Sequence, residues 1–566
     1  MSTPDTSPTP SLAAGAPKES VKDTLISVII AFVLAFVFRG FVVEAFVIPT
    51  GSMAPTLLGQ HIRFNAEASG MPWTVGPWNT FPGTMDPKPV QGQASVGDPA
   101  VLVHDPRSGQ AYERRDVPRL AGDRILVLKY LYALNEPRRF DVVVFKNPGD
   151  PTVNYIKRLI GLPGEQLALV DGDVFVRKAG ANDADPANTP ITWQEPGWTI
   201  ARKPDDAARA MWQPVFDSAF APSNPKGPDG QTWFNPPWRA GGAGGSGWKI
   251  ENRRSYEYSG ADAATLEWDS SRTFYTKPGA PERWEINDRY AYNENPFMAG
   301  SFHYPVSDIR LKAGVEPSSG GAGAITVMPT IETRGHQFRG IIEAGTARVQ
   351  MRPFSAQTGP DSDWATLAEG RCTVFKPGVV TNVEFWHLDQ RLELWVDGSL
   401  AASGNYNWTP AQRIAFATGQ SLEQIASSNP NASMQLVDAR LYSKPRVRWE
   451  FSGGAFALHR VGLDRDLHYR PARRNVSGQP AWGTHPTTTM RLNGDQFFVC
   501  GDNSPASEDG RLWERPDEWV AAEIDPTVGV VPRNLMLGKA FFVYFPALAG
   551  SSPIPMPDFG RLRWIR

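Results

Sequence analysis

VNYIKRLIGLPGEQLALVDGDVFVRK, residues 153–178, is the stretch that decides the fold class. Its first apolar run stops at Gly161 and Pro163-Gly164, and two further runs meet at Asp171-Gly172. Asp-Gly supplies the positive φ angles of a tight turn, so residues 166–178 read as a β-hairpin. Upstream, DRILVLKYLY (123–132) and FDVVVFKNP (140–148) have the same short-strand character. It returns far downstream in GDQFFVCGDNSPASEDGR (494–511) and VVPRNLMLGKAFFVYFP (530–546). Between these blocks, TNVEFWHLDQRLELWVDGSLAASG (381–404) places Val383, Phe385 and His387 on one face and Leu392, Leu394 and Val396 on another. Asp397-Gly398 marks its turn, and MQLVDARLYS (434–443) reads as a similar strand. Many strands bounded by turn signals imply an antiparallel sandwich. The expectation is a mainly β protein in which one β core is interrupted by a β-sandwich-like insert.

Composition agrees with this and excludes some functions. At 566 residues the chain exceeds what one hydrophobic core supports. Gly 52, Pro 51 and Trp 19 suit short strands, many turns and aromatic anchors. Lys+Arg 57 against Asp+Glu 59 lacks the basic excess of a nucleic-acid binder. Cys372 and Cys500 are the two cysteines and match no metal spacing. One disulfide is compatible with them, and two isolated buried thiols are the favoured reading. The eight histidines form no ligand pattern, so neither a metal nor another cofactor is expected.

At the N-terminus, residues 1–20 are rich in Pro, Ser, Thr and Ala and read as a disordered tail. TLISVIIAFVLAFVF (24–38) is continuously apolar. Fifteen residues rise only about 22 Å against roughly 30 Å of bilayer hydrocarbon. GFVVEAFVI (40–48) is apolar apart from Glu44, and Arg39 can snorkel, so the helix is expected to reach the far interface. No small-x-small cleavage site follows the run, which favours a retained single transmembrane helix over a cleaved leader. Lys18 and Lys22 before it favour a cytoplasmic N-terminus. The boundaries read as a tail at 1–20, an anchor at 21–43, and core parts at 44–64, 120–177 and 455–566. Irregular stretches fill 65–119 and 178–247, and a jelly-roll-like insert fills 248–454.

Two residues stand out chemically. Ser52 lies in PTGSMAPTL (49–57), where Gly51 allows close approach of a substrate backbone and prolines fix both flanks. On its own it is a turn serine. Lys157 sits in the apolar run YIKRLI (155–160), and alternation would turn either it or Arg158 to the buried face. On composition alone the pair reads as two charges on an edge strand.

Four blocks then occur in one order: an apolar helix leading into IPTGSMAPTL, GDRILVLKYLY, NYIKRLIGLPGE and GDNSPASEDGR. Together they resemble the bacterial type I signal peptidases, membrane-bound serine peptidases with a Ser-Lys dyad. The resemblance covers about 200 residues and leaves most of 65–119 and 178–454 outside it. It implies Ser52 as nucleophile and Lys157 as general base, with the Thr50 hydroxyl and the Ser52 N–H as oxyanion donors. It further implies that Ser507 orients Lys157, that Asp509 and Arg511 pair in support, and that Gly501 and Asp502 shape the loop. Gly510 replaces the serine usual at its position. Phe46, Ile48, Pro49, Tyr155 and Ile156 correspond to the walls of pockets for small side chains. The implied substrates are signal peptides of exported preproteins, with membrane lipid as the other partner. The implied location is the cytoplasmic (inner) membrane, single-pass, with the catalytic part on the outer side.

A lysine with pKa about 10.4 is neutral in only about one molecule in 2,500 at pH 7, so such a base requires burial. The hairpin at 381–404 and GNYNW (404–408) resemble concanavalin- or laminin-G-like jelly rolls. This implies a module with a glycan or protein ligand, or a decoration packed on the core. Trp193, Trp198, Trp212, Trp233 and Trp238 read either as a binding platform or as anchors. Two alternatives from other classes stand beside the peptidase. One is an anchored carbohydrate- or protein-binding protein with an inactive peptidase-like core. The other is a self-cleaving repressor, which the apolar helix and the lack of a DNA-binding segment disfavour.

Overall fold

The computed structural model describes residues 21–37, 42–66, 69–76, 101–106, 111–114, 119–179, 192–224, 234–241, 247–250, 254–271, 273–277, 280–293, 303–318, 325–355, 359–360, 363–426, 435–546 and 559–566. The tail expected at 1–20 lies outside them, as does Trp233. The protein is mainly β, built from several antiparallel sheets.

The sheet that carries the candidate site has eight strands. We label β1 (Val43–Val47), β2 (Arg124–Leu128), β3 (Val142–Asn147), β4 (Asp150–Gly161), β5 (Gln496–Cys500), β6 (Val531–Pro532) and β7 (Met536–Phe545). Their order across the sheet is β1-β2-β7-β3-β4-β5-β6, with Arg563–Trp564 added beside β7. The central strand β7 therefore comes from the end of the chain. β4 pairs with β3 along most of its length but with β5 only at Arg158, Leu159 and Gly161. Beyond this sheet, Glu165–Val170 and Asp173–Lys178 form the expected hairpin, with φ of 49° at Asp171 and 88° at Gly172.

Two eight-stranded antiparallel sheets form a sandwich. They draw in Gln213–Asp217, Trp238–Gly241 and Phe456–Arg465, outside the 248–454 boundaries read from the sequence. In the hairpin turning at Asp397-Gly398, Val383 pairs with Val396, Phe385 with Leu394 and His387 with Leu392. All six are buried between the sheets, so the two apolar sets share one core face rather than two. Residues 435–441 do not form the expected strand. Asp438 accepts from the Arg440 N–H and starts a second short 3₁₀ turn, and Leu436, Ala439 and Tyr442 are buried at the spacing of such turns. Trp193, Trp198, Trp212 and Trp238 are buried, so they anchor segments and form no exposed platform. Cys372 and Cys500 are both free thiols.

The N-terminal helix, α1, spans Val21–Val37. Its 17 residues rise about 25 Å, and no helix among the described residues is long and apolar enough to cross a membrane. The helix does not extend through Val43–Val47. Val43–Val47 is rich in strand-forming side chains and pairs with β2, so its backbone bonds are made in the sheet.

Hairpin and sandwich meet through buried ion pairs. Arg334 contacts Asp171 at 2.6 Å and Asp308 at 2.7 Å, while Arg413 contacts Asp171 at 3.0 Å and also reaches Asp173 and Asp308. Lys203 bridges Asp389 and Asp466 nearby. Removing one partner of a buried pair strands the others without water. Arg413→Met is therefore expected to lower stability by about 3–5 kcal/mol, read as an earlier denaturant midpoint in tryptophan fluorescence.

Candidate active site

Ser52 lies in a one-turn 3₁₀ helix, Gly51–Met53, entered from the extended Thr50 (φ −117°). Met53 and Leu57 sink into the apolar cluster of Ile48, Ile125, Val127 and Ile156, which fixes the turn against the sheet. Lys157 comes from the middle of β4. Its Nζ donates to Ser52 Oγ at 2.7 Å. Thr50 Oγ1 lies 3.5 Å from the same oxygen.

Lys157 is 4% exposed and Arg158 0%, so both neighbours are buried rather than one of them. Alternation still holds, because both faces of β4 are covered. On one face Arg158 Nε and Nη2 reach Asp502 at 2.7 and 2.6 Å, and Nη1 donates to the Phe140 carbonyl. Burial opposes the Arg158 charge, but Asp502 outweighs it and its pKa is raised. On the other face Lys157 has no carboxylate within ion-pair distance among the described residues, and its Nζ lies 5.0 Å from the Tyr155 ring centroid. Burial pushes its pKa down to about 8, against an upward pull from Asp509 and Glu508.

The loop after β5 supplies the third wall. Asp509 and Arg511 form a fully buried pair at 2.8 Å, and Asp509 also accepts from the Gly501 N–H at 2.9 Å. Burial raises the Asp509 carboxyl, but Arg511 and these hydrogen bonds bring its pKa below the usual value. Arg511 reaches on to the Ser504 hydroxyl at 2.7 Å. Ser507 Oγ is buried and makes no hydrogen bond to Lys157, contrary to the expected orienting bond; its hydroxyl instead helps hold the Asp509 carboxyl ionised. A β-carbon at Gly510 would lie 2.7 Å from the Gly529 carbonyl oxygen, so a serine there would force the backbone to shift. Of the expected pocket residues, Ile48 and Ile156 share a cluster with Phe46 against it, and Pro49 is exposed. Tyr155 falls on the opposite face with Phe145 and Trp513.

Residues 116–194, which contain Lys157 but not Ser52, match the family described as signal peptidase, peptidase S26. Signal peptidase I of Rickettsia typhi is 28% identical over 158 residues, 28% of this chain and 44% of that protein. The Rickettsia canadensis enzyme is 54% identical over 41 residues, 7% of this chain and 16% of that protein. The chain thus spans less than half the length of the signal peptidases it matches. Among solved structures, a carbohydrate-binding module from Bacillus subtilis overlaps at TM-score 0.21 and 8% identity, covering 40% of this chain and 95% of that one. A galectin-like protein of unknown function from the same species gives 0.22 and 6%, over 40% and 88%.

Several residues at and near this site are not apparent from the sequence. Arg158 as the partner of Asp502, and Asn503 as a donor to the Gly51 carbonyl at 3.0 Å, lie in quoted blocks but gain their roles from pairings hundreds of residues apart. Asp173, Asp308, Asp389 and Asp466 each place a carboxylate oxygen within 4.8 Å of the others, a spacing that could hold a cation. Lys203 and Arg413 already stand among them as counter-ions.

Gly501 separates the two serines. A β-carbon there would lie 2.2 Å from Ser507 Oγ and 2.5 Å from the Ser52 carbonyl oxygen. Gly501→Ala is expected to cost about 1–3 kcal/mol by overpacking and to displace the Ser52 turn, visible as a lower melting temperature and faster amide exchange at residues 51–53.

Proposed function

We propose that this chain is a membrane-anchored serine endopeptidase that removes N-terminal signal peptides from exported preproteins, with Ser52 as nucleophile and Lys157 as general base. The observation that carries this reading is the 2.7 Å contact between a buried amine without a carboxylate partner and a serine hydroxyl on a glycine turn. The same contact speaks against an inactive core, which predicts the two groups apart.

In the proposed reaction Lys157 Nζ takes the Ser52 Oγ proton as Oγ attacks the scissile carbonyl. The oxyanion is held by the Ser52 N–H and the Thr50 hydroxyl. The leaving amine collects the proton from Nζ; Nζ then deprotonates the water that attacks the acyl-enzyme and returns that proton to Ser52 Oγ as the acyl–oxygen bond breaks. Asp509 is paired with Arg511 beside Gly501, which offsets part of its pull on the Lys157 charge. The bound peptide would lie extended between β1 and the first half of β4, which each pair on one side only among the described residues. Phe46, Ile48 and Ile156 would form an apolar wall beside it.

Support for an anchor comes from α1, whose apolar residues project on all sides: Leu25, Ile29, Phe32, Leu34 and Phe36 are all more than half exposed. Such a helix needs an apolar surrounding. Anchoring places the site at the outer membrane–water boundary, where signal peptides end.

Lys157→Met is expected to lower cleavage of an Ala-x-Ala signal-peptide substrate by about 10²–10⁴-fold while leaving the circular dichroism spectrum intact. Robust cleavage by that variant overturns the assignment. The base must be neutral to act, so kcat/KM should rise with pH and level off above about 8. At pH 7 about a tenth of the molecules would carry the free amine.

A further inference from the structure

The inserted region does not simply fold away from the site. Its segment Tyr290–Asn293 packs on the Ser52 turn and on the loop that faces it, through Tyr290, Tyr292 and Asn293. Tyr292 presses its ring on Gly51, where a β-carbon would lie 2.0 Å from the ring edge. Its hydroxyl donates to the Gln60 carbonyl at 2.6 Å, and its own carbonyl accepts from the Gly76 N–H at 2.7 Å. Tyr290 donates to the Asp502 carbonyl at 2.9 Å.

Asn293 makes the closest link. Its Nδ2 donates to Asn503 Oδ1 at 2.6 Å, and Asn503 Nδ2 donates back to Asn293 Oδ1 at 2.7 Å. The second Nδ2 hydrogen of Asn503 goes to the Gly51 carbonyl at 3.0 Å, and the Asn503 N–H goes to the Ser52 carbonyl at 3.0 Å. One asparagine thus holds both carbonyls of the Gly51-Ser52 unit. A primary amide has two donor hydrogens, and both are used here. The Gly51 carbonyl, which can only accept, sets which way that amide faces, and Asn293 clamps it there by pairing with both its oxygen and its nitrogen. The segment is tied to the sandwich in turn. Arg465, at the end of Phe456–Arg465, donates to the Arg289 carbonyl at 2.9 Å and stacks on Tyr290 with its guanidinium carbon 4.4 Å from the ring centroid.

We propose that Tyr290–Asn293 is a positioning element for the nucleophile, with Asn293 acting through Asn503 to set the Ser52 turn, so that the insert is part of the working site. This rests on the reading of Ser52 as nucleophile. A turn released by even 1 Å forfeits reaction geometry worth about 10²-fold in rate, while substrate binding along β1 and β4 is untouched.

The test compares the full-length wild type with Asn293→Leu, which keeps the size and loses the amide, and Asn293→Gln, which keeps the amide. Asn293→Leu is expected to lower kcat about 10-fold or more with KM within about twofold, and to speed amide exchange at residues 51–53. The pH at which activity levels off should not move, because Lys157 keeps its burial. Asn293→Gln is expected to restore most of kcat. Should Asn293→Leu fail to fold, Asn293→Ala carries the same comparison. Wild-type kcat together with unchanged exchange at 51–53 in the amide-free variant overturns the proposal, as does equal loss in both Asn293→Leu and Asn293→Gln. A wild-type chain that cleaves no signal peptide would sink the peptidase reading instead, and the exchange measurement would still decide whether Asn293 holds the turn.

Discussion

The site depends on keeping one ammonium-forming group dry without giving it an anion. A lysine buried beside a carboxylate is held charged, whereas a buried lysine without one is pushed toward the free amine. β4 meets this demand by dividing its two basic residues. Arg158 receives Asp502 and keeps its charge, and Lys157 receives the Ser52 hydroxyl and an aromatic ring. The acids nearest to Lys157 in effect are Asp509 and Glu508, and Asp509 is already spent on Arg511 and the Gly501 N–H. Two adjacent cations in one strand therefore experience opposite electrostatics, and the difference arises from which face of the sheet each side chain enters.

That division explains what could and could not be read in the sequence. The hairpins at Asp171-Gly172 and Asp397-Gly398 were legible because the turn chemistry is local. The Ser52 and Lys157 blocks were legible as motifs for the same reason. The burial of Arg158 was not, since its partner Asp502 lies 344 positions away. Nor was the role of Val43–Val47, where an apolar run compatible with a longer helix is claimed by the strand Arg124–Leu128. Residues 435–441 misled in the opposite way. Apolar residues that look alternating over ten positions also fit the three-residue repeat of short 3₁₀ turns, and Asp438 decides between them by capping one.

The junction between hairpin and sandwich was invisible for a related reason. Asp171, Asp308, Arg334 and Arg413 come from separate segments, and each alone looks like a surface charge. Only their convergence makes them a buried network. The tryptophans carry the same lesson. Trp212 and Trp386 meet edge to face 5.4 Å apart, with Arg310 over both rings, so residues that look exposed in an irregular stretch close a seam instead.

The position of β7 has a consequence in time. It lies between β2 and β3, both of which precede it by roughly 400 residues, a separation that takes some tens of seconds to synthesise at about 5–20 residues per second. Until Met536–Phe545 emerges, the sheet beneath Ser52 is split down its middle, whatever the insert has already done. Any translation product that stops short of this strand never acquires a closed sheet.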